Sequence, residues 1–218
     1  MCLLIHTILV STTFAGVLIN LNKPYCIGTI ELTTQTKEYE KNARNLALKH
    51  KLTDLDVLAR LIFSEGLSTG CLGEKECSSS HLFKENIFDK IGWGISKRIK
   101  NSVYDVVFKK YQFRTSFSPI MNGNKKNIFA NFFLCPEMSE NYLQVNQLNF
   151  EELFINAKVI AKEILTTNKI PYNYQHVSNF YYPKSPVFGK LTPKWAKESN
   201  LLKEISNNWI KFYRSKHN

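Results

Sequence analysis

The chain has 218 residues, 44% hydrophobic and 13% aromatic, which suits one ordinary domain with a real core and excludes wholesale disorder. Its 29 Lys and Arg against 18 Asp and Glu leave a formal charge of +11. Such an excess draws a protein toward polyanions, whether nucleic acid or a bacterial wall carrying peptide carboxylates.

In chain order, Met1 to Leu21 contains no Lys, Arg, Asp or Glu and is strongly apolar. It suits a signal peptide with Thr13-Phe14-Ala15 as a small-x-small cleavage site, or a membrane anchor, although His6 stands where a charged opening is usual. Residues 22–45 read as a linker that opens on a Thr-rich stretch with Pro24 and Gly28, and 46–218 as the main domain. A helix is expected from Glu38 to about His50. The next begins at Thr53-x-x-Asp56, carries Leu55, Leu58, Ala59 and Ile62 on a core-facing stripe, and stops at Gly66. Residues 68–80, rich in Gly, Ser, Cys and charge, read as a surface loop.

Further helices are expected over Ile87 to Lys100, over Val103 to Lys110 with Ser102 or Asn101 as cap, and over Phe150 to Leu165. Arg114 to Asn149, with Pro119, Met121-Asn122-Gly123-Asn124 and Cys135-Pro136, reads mostly as loop. Beyond Pro171 the prolines forbid long helices, and Phe180-Tyr181-Tyr182 suits a short strand. The fold class is therefore mainly helical (α+β), with a small β element in the C-terminal part.

Loss of the leader removes Cys2 and leaves Cys26, Cys71, Cys77 and Cys135. Cys71 and Cys77 bracket a short segment that closes into a disulfide loop in an oxidising compartment or carries two free thiols. A C-x5-C pair without a His pair lacks zinc spacing, so neither a metal nor an organic cofactor is expected.

Glu65 is the chemical candidate. It follows Leu58 by seven residues and Ile62 by three, so it projects from the apolar face of its helix. Lost hydration there, and the negative end of the helix dipole, both favour the protonated form that a general acid needs. The plainer alternatives are an outward-turned side chain or a pairing with Arg60 or a lysine. Gln112 is suited to hold an acetamido group, and Tyr181 and Tyr182 to hydrogen-bond or stack on a sugar, or else to pack in the core.

Leu58-Ala59-Arg60-Leu61-Ile62-Phe63-Ser64-Glu65-Gly66 resembles the opening motif of the spore-cortex-lytic cell-wall hydrolase family. Similar blocks follow in order: Ile91 to Ile99, Val103 to Val107 with Tyr111-Gln112-Phe113, Ala157 to Leu165, and finally Tyr181-Tyr182, Pro193-Lys194-Trp195 and Phe212-Tyr213-Arg214. The resemblance spans roughly residues 54–214. It implies a lysozyme-like domain that cuts peptidoglycan between N-acetylmuramic acid and N-acetylglucosamine, as a lytic transglycosylase or muramidase with Glu65 as its one essential carboxyl. The chain departs from the pattern at Lys97, at Gln175-His176-Val177 and at Trp209-Ile210-Lys211. The expected protein is an exported monomer with peptidoglycan as partner and possible N-terminal membrane contact, and without nucleic acid. Two other classes are a wall-binding or assembly module of the same fold that has lost catalysis, and a basic nucleic-acid-binding domain using Lys97-Arg98-Ile99-Lys100 and Lys109-Lys110.

Overall fold

The computed structural model describes residues 25–69, 86–96, 98–99, 102–109, 112–145, 147–167, 169–183 and 192–214. Residues 1–24, which include the stretch expected to be a leader, and the 70–85 segment with both Cys71 and Cys77 lie outside them.

The Thr53-x-x-Asp56 signal folds as a full capping box. The Thr53 hydroxyl accepts from the Asp56 amide, and the Asp56 carboxylate accepts from the Thr53 amide. From this cap runs α2 (Asp54–Leu67), after α1 (Thr36–Lys49). Every residue of α2 from Val57 to Leu67 is buried, so it is the central helix and not an amphipathic surface one. Around it pack α3 (Ile87–Ser96), α4 (Val103–Val107, with Ser102 as N-cap), α5 (Arg114–Phe117), α6 (Ile128–Leu134) and α8 (Phe150–Thr166). Helix α7 (Glu140–Val145) follows a 3-10 turn at Pro136–Ser139. Two short antiparallel strands, β1 (Asn179–Tyr181) and β2 (Lys211–Tyr213), pair Phe180 with Phe212. The described chain is thus mainly helical with a small C-terminal sheet. Among the described residues no helix is long and apolar enough to cross a membrane.

Three expectations need correction. Helix α2 does not stop at Gly66 but runs to Leu67, and the glycine serves packing: a Cβ there would fall 2.2 Å from the Phe88 ring. The stop comes from hydroxyls, with Ser68 Oγ on the Glu65 carbonyl and Thr69 Oγ1 on that of Gly66. The 114–149 region is largely helical and not loop. Its main helix, α6, reads Ile-Phe-Ala-Asn-Phe-Phe-Leu and is buried from Phe129 onward, so it shows no polar face for a periodicity argument to find. Residues 25–45 do not behave as a linker. Tyr25 packs edge-on against Phe154, Ile27 donates its amide to the Leu134 carbonyl, and Cys26 is bridged to Cys135. The same stretch continues into α1, which buries Tyr39, Ala43 and Ala47.

Arg60 fastens this segment to the centre. Its guanidinium is buried and donates to the carbonyls of Phe133, Leu134 and Tyr25, while Glu137 accepts from the amides of Tyr25 and Cys26. Burial pushes Arg60 down to about 10. The charge is held by carbonyl dipoles and by the longer-range fields of Asp56 and Glu137, not by Glu65.

Candidate active site

Glu65 lies in the last turn of α2 with the residue 2% exposed. It neither turns outward nor pairs with Arg60. Its Oε1 accepts two hydrogen bonds from a single residue of α5, the Ser116 amide at 3.0 Å and the Ser116 hydroxyl at 2.7 Å. Ser116 Oγ is in turn 2.7 Å from Ser64 Oγ, itself buried one position before the glutamate. The hydroxyls of Thr115 and Tyr182 complete the polar surroundings of the carboxyl. The Tyr182 phenol stands close enough to feel the carboxylate charge, yet makes no hydrogen bond of good geometry.

The electrostatics follow from this enclosure. Burial raises the Glu65 pKa, and the two Ser116 donors, with the nearby Tyr182 and Thr115 hydroxyls, oppose it without cancelling it. Burial and the nearby carboxyl together drive the Tyr182 phenol well above its ordinary value, so it stays neutral. The cluster is therefore a carboxyl whose protonated form is favoured by burial, set among hydroxyl groups. The causes of the Glu65 shift are burial and hydrogen bonds, and among the described residues no second carboxylate contributes.

Asn127 holds the Ser116 turn in place. Fully buried at the start of α6, it donates through Nδ2 to the carbonyls of Thr115 and Ser118, both at 2.7 Å, and its Oδ1 accepts from the Phe129 amide. Thr115, Ser116, Ser64 and Asn127 are absent from the candidates read in the sequence. The one available signal was the small polar pair Thr115-Ser116 between two aromatics, Phe113 and Phe117.

The other candidates divide. Tyr182 is buried beside Glu65, whereas Tyr181 points elsewhere on its strand, stacked on Tyr213 with ring centroids 5.9 Å apart and edge-on to Trp195. Gln112 is exposed, and its Oε1 accepts from Arg98 Nη1 at 2.7 Å. It lines an open groove of about 450 Å³ with Arg98, Asp105, Lys109, Ser178 and Asn179. Trp93 and Phe113 are buried, while Trp195 is 40% exposed. The sulfur and carboxylate ligands that converge among the described residues are Cys26, Cys135 and Glu137, and both thiols are joined in the disulfide.

No family model, curated protein or solved structure matches this chain.

Proposed function

We propose that this protein cuts peptidoglycan glycan strands between N-acetylmuramic acid and N-acetylglucosamine, as a lysozyme-like lytic transglycosylase or muramidase with Glu65 as general acid and base. The observation that carries the reading is a carboxyl removed from water, its pKa raised by that burial, with Oε1 fixed by two donors from Ser116. With Oε1 engaged as acceptor, the proton belongs on Oε2. Given to the glycosidic oxygen, it opens the bond; the ionised Glu65 then takes a proton from the attacking hydroxyl, either the muramic acid C6 hydroxyl or a water. The first route needs no second carboxylate, unlike two-carboxylate glycosidases.

Convergence of the family-like blocks supports the same reading. Glu65 from the α2 block and Tyr182 from the Tyr181-Tyr182 block lie together, with Ser116 beside them, although they are far apart in sequence. The Cys26–Cys135 bridge suits an oxidising compartment, and the +11 charge suits an anionic wall.

Glu65→Gln tests the reading. The variant is expected to fold normally and to release no soluble muropeptides from purified sacculi, and mass spectrometry of wild-type products separates anhydro from reducing ends. Unchanged turnover by the variant would refute the assignment.

A second reading, a wall-binding module without turnover, is favoured by the depth of Glu65. At 2% exposure the carboxyl has to be uncovered as the strand binds, and the groove at Gln112 is lined by other residues. Sedimentation with sacculi and no soluble product from wild type would establish it.

A further inference from the structure

The groove beside Gln112 has a chemistry of its own. Arg98, just past α3, donates through Nη1 to Gln112 and through Nη2 to the Ser178 carbonyl, and its guanidinium lies 5.8 Å from the Phe180 ring centroid. Among the described residues it forms no salt bridge, although burial makes its charge costly. A guanidinium carries five N–H donors, so donors remain for a ligand. Because Gln112 turns its Oε1 to Arg98, its amide NH₂ is also left to donate. Lys109 adds a second cation, while Ser178, Asn179 and the carboxylate of Asp105 offer partners for hydroxyl groups. Arg98 and Lys109, one from each of the two basic runs of the sequence, thus line one groove.

We infer that this groove is a subsite for the free carboxylates of the peptide stems on a glycan strand, anchored by Arg98 and helped by Lys109 and the Gln112 amide. The strand's identity rests on the glycan-cleavage reading, whereas the groove's preference for a carboxylate does not. A planar guanidinium fork fits a carboxylate with two parallel hydrogen bonds. A nucleic-acid strand fits less well, because among the described residues the groove lining includes no aromatic ring for a base. Two chain segments connect the groove to the surroundings of the acid, one from Gln112 to Ser116 and one from Asn179 to Tyr182.

The test uses full-length protein carrying Glu65→Gln, so that binding is read without turnover. The probes are soluble glycan-strand fragments whose stem carboxylates are free, the same fragments after amidation, and a DNA oligonucleotide of equal charge. Free-carboxylate fragments are expected to bind about tenfold more tightly than amidated ones. Arg98→Lys should erase most of that discrimination, and Lys109→Gln, a change at an exposed side chain that leaves folding intact, should weaken it by about threefold. Equal affinity for both fragments overturns the inference, as does preferential binding of the oligonucleotide in competition. Discrimination by the variant with no product from wild type keeps the subsite and ends the cleavage reading; product from wild type without discrimination does the reverse.

Discussion

Ser116 donates through both its amide and its hydroxyl to one oxygen of Glu65, which makes it the best-placed residue to set that acid's strength and direction. Donors to a carboxylate stabilise its charged form, so their loss drives the pKa higher. Ser116→Ala removes the hydroxyl and keeps the amide. The alkaline limb of the pH–activity profile should move to higher pH, and kcat/KM on glycan strands should fall about tenfold or more, the value of one hydrogen bond to a charged group. A drop in activity with an unmoved profile would show that Ser116 only packs. Glu65 also makes a stability prediction. Its folded pKa lies above the ordinary 4.5, so the folded state binds the proton more tightly than the unfolded one. That contribution is complete below pH 4.5 and is lost as pH rises through the folded value. Glu65→Gln should therefore gain stability over wild type progressively above pH 4.5, read as a widening gap in Tm; a gap independent of pH would contradict the burial argument.

At the scale of elements, α2, α3 and α8 approach one another closely because Gly92 presents no side chain. A Cβ at that position would lie 2.5 Å from Ile164 Cδ1, 2.9 Å from Ile160 Cγ2 and 3.2 Å from Ile62 Cδ1. Gly92→Ala gains up to about 1 kcal/mol of helix propensity but overpacks this junction, which costs about 1–3 kcal/mol. The net expectation is destabilisation in a urea titration, and a more stable variant would mean that the helices separate freely. The elements differ in how legible they are. Helix α8 shows its stripe of Leu153, Ala157, Ile160, Ala161 and Ile164, with Asn149 capping the Glu152 amide. Helix α6 hides because nearly all its faces are buried, and α5 is a single turn held by Asn127.

For the molecule as a whole, the Cys26–Cys135 bridge joins positions 109 residues apart and fixes the first described segment to the end of α6. Closing so long a loop restricts the unfolded chain, and bridges of this kind typically contribute about 2–4 kcal/mol. The paired replacement Cys26→Ser with Cys135→Ser should lower the urea midpoint accordingly. The loss should spread inward, because Arg60 is held partly by the Tyr25 carbonyl next to the bridge. A midpoint equal to that of wild type would show that the Arg60 and Glu137 hydrogen bonds hold the segment without help.

Composition and periodicity alone determined a mainly helical chain, the Thr53 cap, helices expected over 87–100 and 150–165 that form over 87–96 and 150–166, and a carboxyl on the inward face of its helix, because each depends on neighbours within a turn or two. Which side chains surround that carboxyl was decided only by tertiary structure. Ser116 reaches Glu65 through the fold of a turn clamped by Asn127, Tyr182 through the end of a two-stranded sheet, and Cys26 finds Cys135 across a separation of 109 residues. Hydrogen bonds and bridges between distant segments leave no periodic trace, since the distance that defines them exists only once the core has closed.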